Sequence, residues 1–361
     1  MTAPAAGWAL ILTVAGLLLP LGSLGWWFDW PQALALAVLA PLAAVLVPSR
    51  PGIAPGLAIT VGVLAGSAAV LQLLAQGQAV GASAVGLWIY VIGLVLLAWR
   101  GMEAIAGESG RAVLLVPALF GLGILFVWEA VVAGFGIPRV LLPAPTMVGT
   151  AIATHLPMMA ADFVQTFVRA VVPGWAMGCA AGFVVAIVAD RIPFLQRGLL
   201  PLGNLVAALP IVGIAPIMVM WFGFDWQSKA AVVVVMTFFP MLVNTVAGLA
   251  AAGRIERDLM RSYAAGELAT LLKLRLPTAL PFIFNALKIN STLALIGAIV
   301  AEFFGTPIVG MGFRISTEVG KMNLDLVWAT IVAAGVAGSA FYGLLALVER
   351  SFTFWHPSYR R

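Results

Sequence analysis

Among the ionisable residues inside long apolar runs of this chain, Glu129, Lys288 and Glu302 are the candidates for chemistry. A charge held in hydrocarbon is costly, so each calls for a partner, a watery cavity or an interface, and proton relay or ion passage is the chemistry such groups perform. They do not form a catalytic pair, since no two carboxylates share an i, i+3 or i+4 spacing within a run. Lys288 lies about two turns into its run, within snorkelling reach of the boundary. Glu302 ends its run, and Glu129 follows Trp128, a residue type favoured at interfaces. Asn204, Pro210, Pro216 and Asn244 bring polar atoms and missing backbone donors into neighbouring runs. Broken helices of that kind line transport pathways, and kinked helices packed on their neighbours are the other reading. Asn285 and Asn290 suit hydrogen bonds between helices.

Other chemistries find no residues. A single Cys179 and the isolated His155 and His356 predict neither an intrachain disulfide nor a metal cluster. No G-x-x-x-x-G-K-[ST] stretch is present, so ATP hydrolysis by a P-loop has to reside on another polypeptide. No cofactor is expected in this chain.

The elements that position these residues follow from composition. The 361 residues are 63% hydrophobic, with a mean hydropathy of +1.09, well beyond the apolar fraction of soluble domains. An all-α polytopic membrane protein is predicted, with about ten spans near 7–27, 32–48, 56–76, 82–99, 113–135, 164–189, 198–222, 228–250, 279–302 and 326–348. The first run is too long for a signal-peptide core and reads as a retained helix. Residues 145–156 read as a helix lying along the outer surface. The net charge of +5 comes from short loops rather than a basic aromatic stripe, so membrane anchoring accounts for it better than nucleic acid does. Arg50, Arg100 and Arg111 fall on one side, with DRIPFLQR at 190–197 and the tail ERSFTFWHPSYRR, which predicts cytoplasmic termini. Gly174, Gly178 and Gly182 recur every four residues and free one helix stripe for close approach, either static packing or a sliding surface.

The densest charge lies in RIERDLMRSYAAGELATLLKLR, Arg254 to Arg275, followed by Leu276 and Pro277. Eight of the chain's 33 charged residues fall there (19 basic plus 14 acidic), which predicts a cytoplasmic loop with a helix that Pro277 ends. Its spacing resembles the coupling loop of bacterial ATP-binding-cassette importer permeases: Glu-Ala-Ala, three residues, Gly, nine residues, an aliphatic, one residue, Leu-Pro. Counting back from Pro277, Leu274 takes the aliphatic position, Ala264 the Gly and Asp258 the Glu, while Leu259 and Met260 replace the alanines. LLPAPTMV at 141–148, ALPIVGIAPIMVMWFGF at 208–224 and LPTALPFIFNALKI at 276–289 are similar to the nitrate, sulfonate and taurine group of that family.

The resemblance covers roughly 112–361. It implies a MetI-like type I importer core over 111–361, with the coupling loop at 254–277 and an accessory membrane region at 1–110. It further implies a permease subunit in a bacterial inner membrane, not an enzyme, working as a homodimer. Its partners would be two cytoplasmic ATPases that hold ATP and Mg, an extracytoplasmic solute-binding protein, and lipid. Nitrate, sulfonates, taurine or aromatic heterocycles are the implied solutes. On the loop, Asp258, Arg261, Ala264, Gly266, Leu274, Leu276 and Pro277 are the expected coupling positions. Asn204, Pro210, Pro216, Asn244 and Glu302 are the expected pathway. An ATP-independent channel or carrier is the alternative, and it predicts a charge relay in the spans rather than a docking loop.

Overall fold

Pro20, Gly22 and Gly25 stop the first apolar run early. Helix α1 covers Ala3–Leu17, and the chain turns through Gly22 and Gly25, both at positive φ, before α2 at Pro31–Leu46. At 1.5 Å per residue α1 reaches only about 22 Å, short of a roughly 30 Å hydrocarbon core. The expected single helix over 7–27 is therefore replaced by a short helix and a turn. The computed structural model describes residues 3–46, 52–77, 79–107, 111–207, 210–305 and 307–354. Arg50 and His356 lie outside them.

Among the described residues every regular element is helical. After α2 come α3 (Ile53–Leu74), α4 (Val85–Ala106), α5 (Leu115–Phe135), α6 (Pro145–Phe163), α7 (Val172–Arg191), α8 (Pro193–Ala207), α9 (Ile211–Phe222) and α10 (Trp226–Ala250). Two short helices, α11 (Arg254–Ser262) and α12 (Glu267–Thr270), precede α13 (Leu276–Glu302), α14 (Met311–Gly320) and α15 (Leu324–Phe352). Among the described residues, seven helical stretches are long and apolar enough to cross a membrane, and three apolar helices are shorter. A count of ten spans is thus not reached by length.

One further expectation is corrected and another is refined. The stretch from 145 does begin as a helix, α6, but its backbone leaves helical geometry at His155, and beyond that break the chain continues through a π-helical segment, Val164–Val171, into α7. It kinks at His155, where Pro157 removes a backbone donor and crowds the preceding turn. The expected span at 198–222 is two helices, α8 and α9. Pro210 sits between them in extended backbone (ψ 120), as a residue without an N–H does at a helix start.

Contacts group the chain into two units, Met1–Thr150 and Ala151–Arg361. The first is built on small residues. Gly16, Gly86 and Gly93 let α1 and its following turn meet α4 backbone to backbone, and the buried Trp27 and Tyr90 close the seam, donating to the carbonyls of Gly16 (3.0 Å) and Ala37 (2.6 Å). Helix α5 belongs to this unit: Gly134 O accepts the N–H groups of Val80 and Gly81, and Phe135 stacks on Trp88.

In the second unit α10 is central, packed between α7 and α13. Gly174, Gly178 and Gly182 are buried. A Cβ on Gly174 would lie 2.8 Å from Ala230 O, and one on Gly178 would lie 2.9 Å from Val234 O. The two helices therefore touch through backbone, the close approach that small residues permit. Asn290 of α13 donates to Thr237 O of α10 (2.8 Å) and to Cys179 Sγ of α7 (3.2 Å), so one amide ties three helices.

Candidate functional site

Helix α11 is polar because nothing covers it. None of its nine residues is buried. Gly253 begins it, Glu256 occupies the first turn and Arg261 the last, the charge order that complements the helix dipole. Asp258 and Arg261 pair at 3.3 Å on the exposed face, and an exposed i, i+3 pair of this kind adds little stability. The apolar side chains stand out against that charge. Ile255 is 83% exposed, Leu259 56% and Tyr263 79%, a row at i, i+4 and i+8 that forms one helix face.

Pro277 does not end this helix. Ala264 does, at φ 51. Ala264 N–H bonds Arg261 O and Ala265 N–H bonds Met260 O, the two bonds of a Schellman turn. The left-handed position suits glycine, and a Cβ there costs roughly 1–2 kcal/mol. Helix α12 starts after Gly266 and passes through a π-helical turn, Leu271–Arg275, into α13. Pro277 sits in the first turn of α13, where a missing N–H is tolerated. Leu274, Leu276 and Pro277 are half-buried stem residues.

The stems are tied by arginines. Arg275 donates from both terminal nitrogens to Asp190, at 2.7 and 2.6 Å, and from Nε to Leu249 O at 3.1 Å. One guanidinium thereby joins the last turns of α7 and α10 to the start of α13, with the bidentate geometry that makes such pairs strong. Arg257 donates to Ala250 O at 3.0 Å, and Arg191 pairs with Glu267 at 3.0 Å in a more exposed setting.

At the other end of α13, about 40 Å away by helix rise, a second cluster surrounds α14. The first N–H groups of a helix lack internal partners, and here three side chains take them. Asp162 accepts from Gly310 (2.8 Å), Thr166 Oγ1 from Met311 (2.7 Å) and Glu302 from Gly312 (2.6 Å). Thr166 also donates to Glu302 at 2.7 Å, and Arg314 reaches Asp162 at 2.8 Å. Glu302 is 3% exposed, so it is held inside protein rather than at an interface. Lys229, 1% exposed, donates to Phe224 O at 2.6 Å. On α14, burial raises the Glu318 carboxyl, but hydrogen bonds and charge from Lys321, Asn323 and Arg314 outweigh it and leave its pKa lowered. Arg169 remains exposed in the π-helical segment, oriented by Gln165 at 3.1 Å, which in turn donates to Asp225 at 3.0 Å.

The other predicted pathway residues lie on α8, at the start of and within α9, and on α10. Asn244 donates back to Pro240 O in its own helix at 2.8 Å, Pro210 is exposed and Pro216 half-buried in α9, and the side chain of Asn204 lies outside the described residues. An apolar cavity of about 810 Å³ lies in the first unit, lined by Val63, Leu94, Phe120, Trp128 and Glu129 among others. None of the predicted pathway residues lines it. Glu129 itself accepts from the N–H and hydroxyl of Thr146, at 2.9 and 2.7 Å.

Sequence reasoning missed Asp162, Lys229, the clamp on Arg275 and the apolar row on α11. Lys229, at the head of the apolar run AAVVVVM, carried a signal of its own. Asp162 did not, because its partner Arg314 is 152 residues away.

Residues 178–354 match the family described as "Binding-protein-dependent transport system inner membrane component". The chain is 29% identical over 253 residues to the formylaminopyrimidine transport permease protein ThiX of Halalkalibacterium halodurans, covering 67% of this chain and 96% of that protein. It is 27% identical over 236 residues to the riboflavin transport system permease protein RibX of Chloroflexus aurantiacus, covering 65% and 88%. It is also 29% identical over 176 residues to the taurine transport system permease protein TauC of Escherichia coli, covering 48% and 63%. These matches favour an importer subunit over an ATP-independent channel. Residues 178–354 thus match the binding-protein-dependent transport system inner membrane component family, and the chain is similar to proteins named as permease subunits of such importers.

Proposed function

We propose that α11 is the dock for the importer's separate ATPase, and that the ATPase drives the second unit between states through it. The observation that carries this reading is the exposed Ile255, Leu259 and Tyr263 row on a helix with no buried residue. Exposed apolar groups flanked by charge are what a partner's groove takes up. Asp258, Arg261, Ala264 and Gly266 then frame the dock, and Leu274, Leu276 and Pro277 form its stem. ATP and Mg are held by the ATPase, and its closure turns the pathway outward by rigid-body motion. The permease works as a homodimer fed by an extracytoplasmic solute-binding protein, with α11 and both termini in the cytoplasm. The pathway runs past Asn204, Pro210, Pro216 and Asn244 towards Glu302.

An aromatic heterocycle is the solute class this reading favours. Two relatives aligned over 88% and 96% of their lengths are named for riboflavin and formylaminopyrimidine, and Lys229 and Arg314 are taken up by protein oxygens. One observation favours a second reading, an anionic solute such as a sulfonate: Arg169 is exposed.

Co-expression with the ATPase tests the dock. Ile255→Asp with Leu259→Asp should release the ATPase while the permease still inserts, and a normal complex with normal uptake would refute it. Uptake of labelled pyrimidines against labelled taurine in proteoliposomes decides the solute class, and Arg169→Gln should depress only the anionic solute.

A further inference from the structure

Helix α13 is tied to the α6–α7 rod at both of its ends and once between. At the inner end Arg275 grips Asp190 with two bonds and Leu249 O with a third. At the outer end Thr166, on the rod, bonds Glu302. Between them Asn290 reaches Cys179 and Thr237. Helix α10 joins the same body through the glycine seam with α7.

The weak place in this frame is the π-helical turn Leu271–Arg275. There Leu276 N–H bonds Leu271 O, five residues back, and such a turn is wider and less regular than α-helix. A displacement arriving from α11 would be spent in bending it. Arg275 is the last residue of that turn, and its clamp bridges the turn to α7 and α10.

We infer that Arg275 is a positioning residue that makes α7, α10 and α13 move as one strut, delivering displacement of the α11 loop to α14 at the opposite face. This rests on the reading of α11 as the ATPase dock. Helix α14 is the receiving end because its first three N–H groups are bonded to Asp162, Thr166 and Glu302, the rod and strut themselves. It therefore cannot stay behind when they move.

The test uses the whole permease with its co-purified ATPase in proteoliposomes, carrying Cys179→Ala and Val319→Cys. Val319 lies on α14 and is half exposed. The labelling rate with a charged maleimide is compared without nucleotide and with ATP and vanadate trapped on the ATPase. With Arg275 intact the rate should change by about fivefold or more, the scale of an ordinary coupling free energy. Arg275→Gln should abolish that change while the ATPase still co-purifies and hydrolyses ATP at its basal rate, and Arg275→Asp with Asp190→Arg should restore part of it. An undiminished change in Arg275→Gln overturns the strut, as does loss of the ATPase from that variant, because Arg275 would then hold the dock together. A reversed pair that fails like the single variants also overturns it. If the protein with Arg275 intact shows no change, the dock reading itself fails, an outcome separate from the others.

Discussion

Lys288 Nζ of α13 lies 2.6 Å from Glu349 Oε2 of α15, and both side chains are largely buried. A lysine more than three turns into α13 is thus paired laterally with α15 rather than reaching water. Removing Glu349 takes away the carboxylate that accepts this bond.

Glu349→Ala should therefore lower stability by about 1.5–3 kcal/mol, the scale of a hydrogen bond between charged groups. Lys288→Met with Glu349→Leu should recover most of it. Thermal unfolding in nanodiscs measures both, and equal losses in the single and double variants would contradict the pairing.

Ala264→Gly should firm the end of α11. The residue holds φ 51, and removing the Cβ relieves strain of about 1 kcal/mol. Amide exchange at Ala264 and Ala265 should slow several-fold, while Ala264→Val should speed it. Unchanged exchange in both would mean that the turn is held from elsewhere.

Glu318 sets a pH response at α14. Its folded pKa is lowered, so its stabilising contribution is full above the ordinary glutamate value of about 4.3. That contribution is lost as pH falls from there through the folded value. Amide exchange around Asn323 should accelerate over that acidic interval, and Glu318→Gln should remove the step. Lys321→Met should move it upward, because a partner that favours the charged form is gone.

Deleting residues 1–110 tests the proposed accessory region. The core should still insert and bind its ATPase, but α5 loses Trp88, Val80 and Gly81, which hold Phe135 and Gly134. Protease cleavage near 136 should appear in the truncated protein and not in the full chain. Failure to insert would instead assign those helices a part in setting topology.

The helices and the charged loop were legible because their signals are local: apolar length for the spans, charge density for α11. Turn chemistry was legible in part. The break at Pro210 is written in the residue, yet it falls inside one apolar run, and Ala264 gives no glycine to mark the end of α11. The charged partners were not legible. Asp190 meets Arg275 across 85 residues, and Lys288 meets Glu349 across 61, so only the packing of helices pairs them. Glu302 read as an interfacial residue for the same reason: its ligands Thr166 and Gly312 come from other elements.

Cys179 gives the protein its own chemical clock. The thiol is buried where α7, α10 and α13 meet, against the amide of Asn290, so a water-soluble reagent reaches it only when that seam parts. Its labelling rate in the unmodified protein reports how often the three helices separate, with no engineered probe. A transport cycle in which they travel together leaves that rate unchanged from one state to the next.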